Sequence, residues 1–403
     1  MGLVTAGTMV ANVAAYVLHV PASRWLGLDG YSEFASLLGL QLLLAVPGLA
    51  LQTVVARDVV RGESSGRVRA LQIRCAAIVA VVAIVLVPVV VEVLHVGVGA
   101  AAAALVTAPV VVLLSGEQGL LQGEQRFTAL AFVIALAGVA RVVPAVAVLA
   151  AGGGSAAALV GVACGFTVAA FIAHFVAGTQ SAAVPGKEVS DTGVAAVLRA
   201  SQVQLVLIAL ISVDLLLSRV VLSPDDASIY ALGAVATKAA FWLPAAVGVV
   251  LYPRMANPQQ SAAASRLTLM VLAGLAVLTV GGAALVAQLV PVIVGEAYAP
   301  VEGILWAFAA DGAFLAILQG ALLAAIAGER TWLSVVAWAA LAAEAALILA
   351  LADTITEVLT IVVIGSAMAC IAAWSAELWR ARSAPPWPKE PLAQPQGGPT
   401  VSS

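Results

Sequence analysis

The sequence has little charge and few cysteines, and these shortages exclude several classes of protein. Only 10% of its 403 residues are charged and 63% are apolar, whereas a soluble domain carries charge on about a quarter of its residues. The net charge of -3 comes without the clustered basic residues that nucleic-acid binding requires. Cys75, Cys164 and Cys370 lie far apart within apolar runs, so a disulfide framework is excluded. The composition therefore indicates a membrane-embedded protein.

Motifs for chemistry are also missing. The chain has no glycine-rich loop with a lysine that would bind nucleotide phosphates, and no cluster of residues with metal-ligand spacing. No long outer loop is predicted that would hold a catalytic domain. We therefore expect no enzyme activity, no cofactor and no bound metal.

Apolar runs of membrane-spanning length follow one another along the chain. A helix needs about 20 such residues to cross the hydrocarbon core, and short breaks with glycine, proline or charge separate the runs. The twelve predicted spans cover residues 3–25, 34–56, 71–94, 99–121, 127–150, 155–178, 198–222, 228–252, 266–290, 302–327, 331–352 and 355–380.

Lysine and arginine collect on one side of this arrangement, as they do in cytoplasmic loops. With the N-terminus placed inside, the outer side receives only Arg24 and Arg219. The cytoplasmic side receives Arg57, Arg61, Arg67, Arg69, Arg74, Arg126, Lys187, Arg199, Arg254, Arg266, Arg330, Arg380, Arg382 and Lys389. Both termini are therefore predicted to be cytoplasmic.

The two halves of the chain resemble each other. The stretch 26–35 is similar to 222–231, and each precedes a predicted span that ends near an arginine, Arg57 or Arg254. We therefore predict two six-helix bundles with the same orientation, related by an axis along the membrane normal. The predicted parts are an N-terminal bundle at 1–178, a cytoplasmic linker at 179–197, a C-terminal bundle at 198–382 and a disordered proline-rich cytoplasmic tail at 383–403.

Two cations lie in the middle of predicted spans, Arg141 and Lys238. A charge at the bilayer centre costs at least about 2.5 kcal/mol, so such a group faces a cavity or an opposite charge. We predict an aqueous cavity between the bundles in which both cations bind an anionic substrate group such as a phosphate. Arg24 and Arg219 are predicted to lie at its outer mouth and to contribute to substrate binding.

Three carboxylic acids also lie deep within predicted spans, Asp214, Asp311 and Glu344. They are predicted to carry a coupling proton or sodium ion. The alternative is that these carboxylates and the buried cations form static salt bridges that hold the helices together. His19 is predicted to be a hydrogen-bonded core residue, and Glu117 is predicted to reach the membrane interface.

Several motifs resemble those of polysaccharide exporters of the multidrug/oligosaccharidyl-lipid/polysaccharide (MOP) superfamily. They are LGLDGYSEF at 26–34, LQTVVAR at 51–57, LQGEQRF at 121–127, VDLLLSR at 213–219, LSPDDASIY at 222–230 and LYPR at 251–254. The resemblance covers about residues 1–380. The lipid II flippases of the superfamily have two further helices that this chain lacks, so a peptidoglycan precursor is not the expected substrate.

The resemblance implies an all-α membrane protein whose two bundles form a V-shaped, MATE-like architecture that opens alternately to either side. It implies that the protein flips an oligosaccharide on polyprenyl diphosphate to the outer leaflet of a bacterial inner membrane, for surface polysaccharide synthesis. The expected partners are this lipid-linked glycan, membrane lipids and glycan-assembly enzymes, with an ion gradient or the membrane potential as driving force. Two alternatives remain open: a drug or small-molecule antiporter of the same superfamily, and a membrane-embedded glycosyltransferase or polymerase.

Overall fold

The computed structural model describes residues 2–178, 194–244, 261–327 and 333–383, and within these ranges it contains helices and turns and no β-strand. Residues 179–193 of the predicted linker and 384–403 of the predicted tail lie outside the described residues. The helices are α1 (Gly2–Val60), α2 (Ser65–Leu94), α3 (Val98–Gly123), α4 (Phe127–Ala150), α5 (Ser155–Ala177), α6 (Val194–Leu210), α7 (Val213–Val221), α8 (Pro224–Trp242), α9 (Ser261–Val286), α10 (Val290–Val294), α11 (Leu305–Ala327), α12 (Leu333–Leu351) and α13 (Ile355–Ser383). Two 3-10 helices, Ala287–Leu289 and Glu296–Val301, flank α10.

The described part of the chain contains eight helices long and apolar enough to cross a membrane. Helices α6 and α7 form a ninth such span with a bend of 40° between them. Helix α1 contains two of the predicted spans, α8 contains the described part of another, and α12 is a shorter apolar helix. The described part of each of the twelve predicted spans is thus mainly helical. The described residues form an all-helical fold, and the chain is a multi-pass membrane protein.

The first two predicted spans are joined without a loop. Helix α1 is interrupted at Gly27, which has φ 70° and ψ -178°. Thr5 from the first arm of α1 and Gln52 from the second arm line the same cavity, so the chain turns back at this break. Helix α1 as a whole packs on α3 and α4 of the N-terminal half (α1–α5) and on α6 and α8 of the C-terminal half (α6–α13). Helix α1 therefore connects the two halves.

Glycines allow neighbouring helices to approach closely. A methyl group added to Gly165 of α5 would lie 1.9 Å from the Ala140 carbonyl oxygen of α4. In the C-terminal half, a methyl group on Gly312 of α11 would lie 2.0 Å from the Thr237 carbonyl oxygen of α8. Small residues at helix crossings are typical of membrane bundles, because lipid leaves close van der Waals packing as a main source of helix association.

Local signals fix the helix ends. Ser223 caps α8 by accepting a hydrogen bond from the Asp226 amide at 3.2 Å, and Pro224 follows at the first helical position. Both residue types favour a helix start, because the serine oxygen accepts from a free amide and the proline needs no acceptor there. Ser64 caps α2 in the same way. These caps set the first residues of α8 and α2, and thereby the position of every later side chain along each helix.

Candidate functional site

Helices α1, α3, α4 and α5 enclose a cavity of about 590 Å³ within the N-terminal half. We call it the N-half cavity. Its size lies within the range of about 300–1,000 Å³ typical of small-molecule sites. Most of its lining is apolar, and its polar lining residues are Thr5, Thr8, Gln52, Ser115, Gln118, Gln122 and Arg141. Exposed residues of this set, such as Thr5 and Gln122, lie beside the α3–α4 turn, so the cavity opens toward the predicted cytoplasmic side.

Arg141 lies at the end of the N-half cavity that is farther from its predicted cytoplasmic opening. It is 14 positions beyond Phe127, which begins α4, so it lies about 21 Å along that helix. Its guanidinium carbon stacks on the Phe166 ring at 5.5 Å from the ring centroid. Its Nε atom is buried and has no hydrogen-bond partner. The stacking holds the guanidinium plane over the Phe166 ring, and the Nε–H group of the same cation remains available to donate a hydrogen bond.

Lys238 lies on α8, against the second arm of α1. Its Nζ atom would be 3.7 Å from a methyl group added to Gly39. Within the described residues it makes no hydrogen bond or salt bridge, although Asp214 lies within electrostatic range. Arg141 and Lys238 both lie within electrostatic range of His19 on α1. The structure therefore places the two cations on either side of α1, and their joint use by one substrate remains a prediction.

The three predicted coupling acids lie close together in the C-terminal half. Asp214, Asp311 and Glu344 are 1%, 0% and 3% exposed, and they come from α7, α11 and α12. Asp214 Oδ2 accepts a hydrogen bond from the Tyr230 hydroxyl at 2.7 Å. Coulomb interactions link all three carboxyl groups to one another and to Tyr230. We call these three acids the carboxyl cluster.

The carboxyl cluster has few hydrogen-bond partners. Asp214 Oδ1, both Asp311 carboxyl oxygens and Glu344 Oε1 are buried without one. The Ser366 hydroxyl, which interacts with Asp311, donates its hydrogen bond to the Val363 carbonyl at 3.1 Å. Among the described residues, none of the three acids forms a salt bridge, so static ion pairing does not account for them. A buried carboxyl group in this setting requires a proton or a bound cation.

Arg219 connects the two halves at the predicted outer end. Its Nε donates to the Leu94 carbonyl at 2.8 Å, its Nη1 to Ser32 Oγ at 2.7 Å and its Nη2 to the His95 carbonyl at 3.4 Å. Nη2 also lies 3.6 Å from an Asp29 carboxylate oxygen. One side chain of α7 is thus bound to the C-terminal end of α2 and to α1. Its predicted role in substrate binding is not tested by this arrangement.

Further contacts close the same end. Arg24 of α1 donates to the Val292 carbonyl of α10. Tyr31 packs edge-on against Tyr298 with ring centroids 5.8 Å apart, and Tyr31 also shares a hydrogen bond of 3.0 Å with His19. Burial raises the pKa of the Tyr298 hydroxyl above its usual value, so it stays uncharged at neutral pH. We call Arg24, Tyr31, Arg219 and Tyr298 the outer closure.

We expect Arg219→Ala to open the outer closure, because it removes the polar contacts of one cation with two helices of the other half. A cysteine introduced at buried Ser228, which lies 3.3 Å from the Tyr298 hydroxyl, is the reporter, in a background without the three native cysteines. Its reaction with a membrane-impermeant maleimide added outside should become about tenfold faster. Loss of the hydrogen bonds to the Arg219 guanidinium raises the population of the state with an open outer end by about that factor. Arg24→Ala removes a single such contact and should have a smaller effect. An unchanged rate in Arg219→Ala would contradict this role.

A third polar network lies at the predicted cytoplasmic end. Glu117 of α3 is 3% exposed and accepts two hydrogen bonds from Arg69 of α2, at 3.2 and 3.1 Å. Its Oε1 also lies 2.9 Å from His174 Nδ1 of α5, and Arg69 donates to the Gly178 carbonyl at 2.7 Å. That Glu117 lies level with the membrane interface stays a prediction; its carboxylate is buried within the protein, where Arg69 supplies the compensating charge. This network holds three helices together.

Sequence reasoning missed part of the N-half cavity. Ser115, Gln118 and Gln122 lie on α3 at spacings of three and four residues, so they occupy one face of the helix. The sequence already contains this signal, because the three polar residues recur at helical spacing within an otherwise apolar run. Glu33 was also missed, and it accepts hydrogen bonds from the Gly97 amide and the Ser155 hydroxyl at the outer ends of α3 and α5.

Comparisons with known proteins identify the fold. No family model matches the sequence, and no curated protein matches it. Among solved structures, the chain is similar to an inward-facing multidrug resistance MATE family transporter of the MOP superfamily, with a TM-score of 0.70, 14% identity, and coverage of 93% of this chain and 95% of that one. It is similar to the lipid II flippase MurJ in an inward closed conformation, with a TM-score of 0.71, 11% identity, and coverage of 96% and 88%.

A third similar structure is a MOP superfamily transporter from Pyrococcus furiosus, described as having a binding pocket of reverse polarity that suggests a different function. The TM-score is 0.61, with 13% identity and coverage of 94% of this chain and 95% of that one. The chain therefore has the fold of MOP superfamily transporters, and the similar structures are transporters and a flippase rather than enzymes. This confirms the predicted fold class.

Proposed function

We propose that this protein transports an anionic lipid-linked saccharide, an oligosaccharide on polyprenyl diphosphate, from the cytoplasmic to the outer leaflet by alternating access. The observation that carries the proposal is the charge of the N-half cavity. Among the described residues that line it, Arg141 is the one ionisable side chain, and its Nε has no partner. A guanidinium suits a phosphate group, because its planar donors match phosphate oxygens.

The alternating-access part of the proposal is supported by the asymmetry between the two ends. The outer closure joins the halves through Arg219 and Arg24, while the N-half cavity opens toward the α3–α4 turn. With the predicted orientation, this is a state that accepts substrate from the cytoplasmic side. In a bacterial inner membrane, where we place the protein, such a substrate is supplied by glycan-assembly enzymes on that side and serves surface polysaccharide synthesis.

The carboxyl cluster supports coupling to an ion. The Asp214, Asp311 and Glu344 carboxyl groups are buried and come from three helices, and four of their oxygens have no hydrogen-bond partner. A buried carboxyl group without a partner is stabilised by a proton or a bound cation. These three acids are therefore our candidates for exchanging a coupling proton or sodium ion during the transport cycle.

A drug antiporter is the second candidate, and the carboxyl cluster is the observation that favours it. Organic cations are recognised by acidic and aromatic cavities, and acidic groups occur in the C-terminal half. The described lining of the N-half cavity, however, contains no acid. This difference makes the antiporter the weaker candidate and allows a direct test.

The test compares substrates in proteoliposomes containing the purified protein. We expect movement of a fluorescent polyprenyl-diphosphate-linked saccharide between leaflets, and no uptake of the cationic dye ethidium. Uptake of ethidium without movement of the lipid-linked saccharide would overturn the proposal in favour of the antiporter. Collapsing the proton gradient, the sodium gradient and the potential separately then tests coupling: undiminished transport in all three conditions would remove the carboxyl cluster from that role.

A further inference from the structure

A polar stripe runs along one face of α3 into the N-half cavity. It consists of Ser115, Gln118 and Gln122, and Gln52 of α1 faces it across the cavity. We call these four residues the amide stripe. From Gln122 to Ser115 the stripe extends about 10 Å along the helix axis. It therefore leads from the open end of the cavity toward the end that holds Arg141.

The amide stripe has unused hydrogen-bonding capacity. Gln52 Nε2 donates to Gln122 Oε1 at 3.0 Å, which joins α1 to α3. The Gln118 amide and the Ser115 hydroxyl, by contrast, have no hydrogen-bond partner within the described residues. A carboxamide offers two donors and an acceptor with two lone pairs, and a hydroxyl offers both functions. The stripe thus presents free donors and acceptors without any charge.

The α3 part of the amide stripe lies in the last two turns of the helix, with Gln118 five residues, or about 8 Å, before its end. Polar side chains on a membrane helix are costly in hydrocarbon, so they face a cavity or a polar partner. Helix packing does not require the Gln118 amide, because no other side chain or carbonyl of the described chain binds it. Its surroundings in the cavity are otherwise apolar, with Leu114 and Leu130 among the lining residues. A polar ligand is therefore the partner that the stripe lacks.

We infer that the amide stripe is a saccharide subsite, which binds hydroxyl groups of the first sugars and selects the head group. Each sugar hydroxyl is both a donor and an acceptor, which matches a carboxamide, and a neutral sugar requires no charged partner. The inference rests on the proposed function for the anionic group held at Arg141. With the phosphate at Arg141, the sugars point along the stripe toward the predicted cytoplasmic opening.

The test separates sugar binding from phosphate binding. The purified protein in lipid nanodiscs is titrated with two probes, farnesyl diphosphate and farnesyl diphosphate bearing a disaccharide. The wild type should bind the second probe more tightly. Gln118→Leu should weaken the disaccharide probe by about tenfold, the usual effect of leaving a polar partner unpaired, and leave bare farnesyl diphosphate within about twofold. Gln118→Asn, which retains the amide, should restore part of the loss.

Two variants serve as controls. Gln202→Leu makes the same change at an exposed glutamine of α6 outside the cavity and should affect neither probe, whereas Arg141→Ala should weaken both. Equal weakening of both probes by Gln118→Leu, or no weakening of either, would overturn the saccharide subsite. Failure of the proposed function looks different, because the wild type itself would then move no lipid-linked saccharide in proteoliposomes.

Discussion

Arg141→Ala should reduce transport of the lipid-linked saccharide by about 30-fold or more. Removing one partner of a buried charged contact costs about 2–5 kcal/mol, and each 1.4 kcal/mol is a factor of ten. The guanidinium also stacks on Phe166, and this contact positions it at the end of the N-half cavity that is farther from the opening. Arg141→Lys keeps the charge and loses the planar donors, so we expect intermediate transport. The measurement is the initial rate of flipping in proteoliposomes at equal protein content.

Arg67→Ala is the matched control, because the Arg67 side chain is 60% exposed and its partner among the described residues is Glu63, just before the start of α2. It should transport at the wild-type rate. Lys238→Ala should also abolish transport if both cations serve one substrate. Wild-type transport by Arg141→Ala would exclude a cationic N-half cavity as the substrate site. Loss in Arg141→Ala with normal transport in Lys238→Ala would confine the site to the N-terminal half.

Glu117→Ala should have a large effect on stability, lowering the free energy of unfolding by about 2–4 kcal/mol, because it removes the buried carboxylate that pairs with the partly buried Arg69 guanidinium. Arg69 is only 17% exposed and is held by both Glu117 oxygens. The measurement is denaturant or thermal unfolding of the purified protein in detergent. Glu302→Ala, at an exposed glutamate, is the control and should change the value by less than about 0.5 kcal/mol.

A double variant distinguishes pairing from packing at this site. Arg69→Met combined with Glu117→Leu replaces both charges with apolar side chains of similar size, and such replacements are often neutral. We therefore expect the double variant to be more stable than Glu117→Ala alone. A double variant as unstable as the single one would show that the shape of the Glu117 side chain, rather than its charge, holds α2, α3 and α5 together.

The membrane spans could be predicted from the sequence because each is a local property. Twenty apolar residues in a row require a helix wherever the segment lies in lipid, and the described parts of the twelve predicted spans are mainly helical. Glu117 shows where this reasoning fails. Its depth was correctly read as near one end of α3, but its partner Arg69 lies 48 positions away, and one sequence does not indicate which helices become neighbours.

The candidate site could be predicted in part for the same reason. Arg141 and Lys238 were identified because charge within an apolar run is conspicuous. The enclosure of Arg141 by α1, α3, α4 and α5 depends on tertiary packing and was not predictable. Gln118 was overlooked although its spacing from Ser115 and Gln122 is local, because an uncharged polar residue changes the hydropathy of a span very little.

The break in α1 at Gly27 has a mechanical consequence. A backbone with φ 70° and ψ -178° is in a region that is essentially accessible to glycine alone, and no loop separates the two arms that meet there. One arm carries Arg24, which reaches α10, and the other carries Gln52, which faces α3. Rotation about this one residue would therefore change the angle between the two arms of α1, and with it the distance between the Arg24 contact and the Gln52 contact.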